Sequence, residues 1–112
     1  MNSQDRELLE LAAKAAGVAG VFVEAHGPDI GQDTAGIGRP GARYGDRLWN
    51  PLEDDGDALR LAVSLGLQVY GREIGCSVDD YVFVDEQDCG GDKYAASRRA
   101  IVLAAAEIGK TK

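Results

Sequence analysis

A chain of 112 residues, 45% hydrophobic and 28% charged, is long enough for one compact domain, too short for two, and not disordered by composition. A net charge of −7 and a pI near 4.6 exclude a general nucleic-acid binder, which needs the opposite balance to neutralise phosphate. The polar start (Met1 to Arg6) and the lack of any apolar run near ~20 residues point away from a signal peptide and a membrane span. A cytoplasmic protein with Cys76 and Cys89 reduced is therefore expected.

In chain order, Ser3 is placed as the N-cap of a first helix, with Asp5 and Glu7 in its opening turn. Leu8, Leu11, Ala12 and Ala15 recur at helical spacing, and Gly17 closes the helix. Val18 to Ala25 is short, rich in β-branched residues and bounded by glycine, which predicts a strand. From His26 to Arg47, glycines at 27, 31, 36, 38, 41 and 45 with Pro28 and Pro40 argue against regular structure of any length. One short strand near Ala42 to Leu48, and anchoring by Ile37 and Tyr44, is the most order expected there.

The stretch from Trp49 to Val63 organises the rest. Asn50-Pro51 turns the chain, Asp54 caps a helix, and Asp57 stands three residues on as a short capping-box acid. Ala58, Leu61, Ala62 and Leu65 make a core-facing stripe that Gly66 ends. Trp49 is expected as a buried plug between this helix and the sheet, its N–H bonded to a backbone carbonyl. Trp49, Pro51, Asp54, Asp57 and Leu61 thus receive structural roles.

Leu67 to Arg72 alternates with period two, Glu73 to Ser77 turns the chain, and Tyr81 to Val84 is expected to return as its antiparallel partner. Asp85 to Gly91 reads as an acidic loop, and Asp92 caps a last helix. On that helix Tyr94, Ile101, Ala105 and Ile108 share a face supported by Val102, and Gly109 ends it. The fold expected is α+β: a single domain over 1–112, a sandwich of three helices on a small, mainly antiparallel sheet of three or four strands, with a glycine-rich loop at 27–47.

Gly36-Ile37-Gly38-Arg39-Pro40-Gly41 spells G-x-G-x-x-G, but Pro40 removes an amide and no helix follows, so a dinucleotide site is not expected. With Arg39, Arg43 and Arg47, loop 27–47 can instead hold a small anion or nucleotide, contact a partner, or be a plain loop. Asp79, Asp80, Asp85, Glu86 and Asp88 bracket the strand Tyr81 to Val84 and, with Glu53, Asp54, Asp55 and Asp57, form either a charged binding face or solvated turns. His26, Cys76 and Cys89 lack the paired spacing of a zinc site, and Asp54 to Asp57 lacks the alternating ligands of an EF-hand. No catalytic residue, metal or cofactor is expected.

Trp49 to Val63, read W-N-P-L-x-D-D-G-D-A-L-R-L-A-V, resembles a motif of small bacteriophage and prophage proteins. Asp5 to Gly17 is similar to their first helix, and Ser97 to Val102 with Ala106 to Gly109 to their last. The likeness covers roughly half the chain and extends, more loosely, to phage α-β-α sandwich domain proteins. Segment 27–47 departs from that group, which carries aromatic, strand-like sequence there. The resemblance implies a phage or prophage accessory protein and carries over no catalytic residues. Together with the acidity, it leads to the expectation of a non-enzymatic protein in the bacterial cytoplasm that binds a host protein, such as a defence or nucleic-acid-handling complex, without touching nucleic acid or membrane.

Overall fold

The computed structural model describes residues 3–23, 35–38, 48–70, 75–77, 81–84 and 86–112. In order these form α1 (Ser3–Ala16), β1 (Val21–Val23), β2 (Gly36–Gly38), α2 (Asp55–Leu65), β3 (Gln68–Tyr70), β4 (Gly75–Ser77), β5 (Tyr81–Phe83), a 3-10 turn (Glu86–Cys89) and α3 (Lys93–Lys110). The α+β class and the three helices are as expected. Ser3 is already helical, so it is not the cap assigned to it.

The core is built mainly from alanine, and that sets how closely the helices approach. Ala12 of α1 and Ala96, Ala100, Ala104 and Ala105 of α3 are buried in one cluster with Ala58, Leu61 and Ala62 of α2. Helices α1 and α3 run parallel: Asp5 pairs with Arg99 at 3.0 Å near their starts, and Lys112 Nζ donates to the Ala15 carbonyl at 3.0 Å near their ends. Between these points Gly109 lies against the Leu11 backbone, where a Cβ would collide with the carbonyl. Gly109 is therefore buried inside the helix as a contact residue, and Thr111 is the C-cap. The expectation that Gly109 terminates α3 is corrected.

Two further expectations about helix faces change for geometric reasons. Leu9, left off the α1 stripe, is fully buried, because α1 packs on α3 with one flank and on β1 and β2 with another. Leu9, Ala13 and Ile37 form this second cluster. Tyr94 shares the angular position of Ile101 but is 73% exposed. Gly90 to Lys93 are exposed as well, so the first turn of α3 projects past the core.

Helix α2 follows its sequence closely. Asp54 has extended backbone, and its carboxylate accepts the Asp57 N–H at 2.7 Å. Gly66 ends the helix at φ 68°, a left-handed conformation suited to glycine. The predicted stripe of Ala58, Leu61 and Ala62 is buried, with Leu65 packed against it.

The strands are where sequence and structure part. They divide between two antiparallel ladders, β1-β2 and β3-β4-β5, rather than one sheet. Strand β2 lies within the glycine-rich segment, with Ile37 opposite Phe22 and 4% exposed. Glycine makes this pairing possible: a Cβ at Gly36 would stand 2.6 Å from the Trp49 carbonyl oxygen, and one at Gly20 would stand 2.5 Å from that of Gly38. Ala42 to Arg47, where a strand was expected, lies outside the described residues. Strand β4 sits between β3 and β5, pairing Val69 with Cys76 and Cys76 with Val82. The expected direct pairing of β3 with β5 is thus replaced by a three-strand meander through the segment read as a turn.

Trp49 extends the first ladder. Its N–H and carbonyl each bond Ile37 at 2.8 Å, forming an isolated antiparallel bridge on the far side of β2 from β1. Its side chain is half-buried and packs against both core clusters, so it joins them without being a fully enclosed plug. Trp49→Ala should cost about 2–4 kcal/mol, overlapping the low end of the range for a fully buried tryptophan. Urea denaturation measures the loss, and the single tryptophan's emission should redden on unfolding.

Candidate functional site

Asparagine before proline dictates a turn, and here every polar group of Asn50 is hydrogen-bonded. Asn50 is buried; its Nδ2 donates to the Ala35 carbonyl at 2.7 Å, and its Oδ1 accepts the Leu52 N–H at 3.0 Å. Its carbonyl accepts from Glu53 N–H at 3.1 Å and Asp54 N–H at 2.9 Å. Its own N–H donates to Asp57 Oδ2 at 3.0 Å. Pro51, also buried, fixes the backbone between them.

Asp57 is 1% exposed, and its other oxygen accepts from Arg60 at 2.9 Å. A capping-box acid would reach back to the N–H of the cap residue. The shorter aspartate instead reaches Asn50, whose carbonyl takes the Asp54 N–H. Arg98 of α3 locks the outside of the turn, donating from Nε to the Leu52 carbonyl at 2.8 Å and from a terminal nitrogen to Asp55 at 2.6 Å.

Three of the acids expected to help form a negative face, Asp54, Asp55 and Asp57, are committed to structure. Asp54 caps, Asp55 pairs with Arg98, and Asp57 is buried beside Arg60. Glu86 opens the 3-10 turn. Arg39, Arg43, Arg47, Asp79, Asp80 and Asp85 lie outside the described residues, as do His26 and Gly41. Gly36 and Gly38 of the G-x-G motif belong to a strand ladder, not to a helix-opening phosphate loop. Among the described residues, no group of three or more His, Cys, Asp or Glu could hold a metal ion. No helix among them is long and apolar enough to cross a membrane.

Among the described residues, two surfaces stand out as able to engage a ligand. The first is the outer face of α2, where Leu59 is 64% and Val63 72% exposed, one turn apart and opposite the buried stripe. Leu59 and Val63 lie within the motif and off the stripe of Ala58, Leu61, Ala62 and Leu65 expected to face the core, but no role was assigned to them from the sequence.

The second is a groove of about 380 Å³ between α1 and the first ladder. Arg6, Glu10 and Lys14, four residues apart, line it from α1, and Val18, Val21, Phe22 and Ile37 line it from the strands. Arg6 lies over the Phe22 ring at 4.9 Å from its centroid and pairs with Glu10 at 3.5 Å. Sequence reasoning missed this groove because Arg6, Glu10 and Lys14 alone look like a solvated helix face. No family model, no curated protein and no solved structure matches the chain.

Proposed function

We propose that this protein is a non-enzymatic phage or prophage accessory protein that binds a host protein in the bacterial cytoplasm, using the outer face of α2. The observation that carries this is the exposed pair Leu59 and Val63 on a helix held rigid by Asp54, Gly66 and the buried Asn50–Asp57 turn. Single exposed apolar residues need no explanation. Two of them one turn apart on a pre-organised helix make the kind of anchor that helix-in-groove recognition uses. The charge of −7 favours a partner with a basic rim, such as a protein that handles nucleic acid or acts in defence. The likeness of the Trp49 to Val63 stretch to phage proteins supports the cellular setting.

The test is capture from a bacterial lysate on the immobilised protein, in parallel with the Leu59→Gln/Val63→Gln variant. Both positions are exposed and glutamine is a good helix former, so stability should change by less than about 1 kcal/mol. A partner held by the wild type and lost by the variant is the expected result. Recovery of only abundant housekeeping proteins at moderate salt would overturn the proposal, and equal recovery by the variant would remove α2 from it.

A further inference from the structure

We infer that the groove between α1 and β1 is a binding site for a small amphiphilic monocarboxylate, with its head at Lys14 and its apolar body on Val18, Val21 and Phe22. This is independent of the partner surface on α2 and rests on charge, lining and size.

The groove is locally cationic on an acidic protein. Two cations and one acid line it, although the chain carries −7. Asp5, at the start of α1, is turned away from the groove and pairs with Arg99 at 3.0 Å. Lys110 of α3 is held above the usual lysine range chiefly by its hydrogen bond to Glu107 and that group's charge, with the charge of Glu7 adding to the effect. Within the groove, Arg6 is taken up by Glu10 and by the Phe22 ring. Lys14 has no ion pair among the described residues, so it is the charge left to meet a ligand.

The lining gives that ligand its second requirement. Val21 is 48% exposed, and Val18 and Phe22 are half-buried, so apolar surface faces the groove beside the ammonium. The groove's volume of about 380 Å³ lies at the small end of the range for ligand pockets. Lys14 stands in the last turn of α1, where the helix dipole opposes any anion and opposes a polyanion most, so the ammonium is matched to a single negative charge. One cation beside an apolar wall suits a single negative charge on an arylalkyl or medium-chain body.

The probe is 4-phenylbutyrate, compared with the isosteric cation 4-phenylbutylamine. Binding to the full chain is measured by calorimetry and by Trp49 emission, since Trp49 packs in the cluster that contains Ile37 of the groove wall. Saturable carboxylate binding is expected, at least about tenfold tighter than the amine, a difference of one decade in Kd. Lys14→Glu should abolish that preference. Val21→Asp should weaken both ligands, and neither exposed-site change should move the melting temperature appreciably. Three results overturn the inference: no saturable binding by either method, equal affinity for carboxylate and amine, or undiminished carboxylate binding by Lys14→Glu.

Discussion

Gly109→Val is expected to destabilise the protein by more than about 3 kcal/mol, a large part of the ~5–15 kcal/mol available to a domain of this kind. Any Cβ at this position meets the Leu11 carbonyl oxygen, its carbon and its Cα, all of them backbone. A side chain can swing away from an intruding methyl; a helix backbone has to move as a body. Displacing α1 would open its alanine contact with α3 and strain the bonds that tie Asp5 to Arg99 and Lys112 to Ala15. Gly109→Ala gives a graded check by urea denaturation. On helix propensity alone it should gain about 1 kcal/mol. A net loss is expected because the overlap outweighs that gain, and an alanine variant more stable than the wild type would show that the helices do not touch there.

Asp57→Ala is the second large expected loss, about 3–4 kcal/mol. The substitution leaves the buried Asn50 N–H without its acceptor and removes the carboxylate that Arg60 holds. Asp57→Asn should fall between alanine and wild type, because an amide presents one acceptor oxygen where two donors converge. Arg60→Ala should cost no more than about 1 kcal/mol, since the Arg60 side chain is 66% exposed and its pairing is solvent-screened. Denaturant titration of the three variants should return that order. Equal losses for Asp57→Ala and Arg60→Ala would mean that the carboxylate stabilises only the surface pair and not the turn.

What could be read from the sequence was whatever has a local cause. Asp54 and Gly66 bound α2 through their own side chain and φ, and Asp92 caps α3 by accepting from Tyr94 and Ala95. The stripe from Ala58 to Leu65 follows from helical periodicity alone. The features that escaped are those whose cause lies elsewhere in the chain. Gly36 and Gly38 suggest a loop until Phe22 and Trp49 arrive on either side of Ile37. Gly75 to Ser77 has no strand propensity of its own and is made a strand by pairing along both edges. Gly109 looks like a stop signal, and only Leu11 reveals it as a contact. The candidate surfaces were less legible still: Lys14 and Val21 are neighbours through the packing of α1 on the ladder, and no spacing rule brings them together.

The parallel arrangement of α1 and α3 also bears on how the chain reaches its fold. The Asp5–Arg99 pair spans 94 residues of sequence, and closing a loop of that length costs roughly 4 kcal/mol by the (3/2)RT ln n scaling before any docked contact offsets it. During synthesis α1 leaves the ribosome long before Ala96, Ala100 and Ala105 exist to cover Ala12. It must wait as an uncovered amphipathic helix, or lean on β1 and β2 through Leu9 and Ala13, until nearly the whole chain has emerged. Refolding should accordingly be slow for a protein so rich in helix, with docking of these two helices among its last steps.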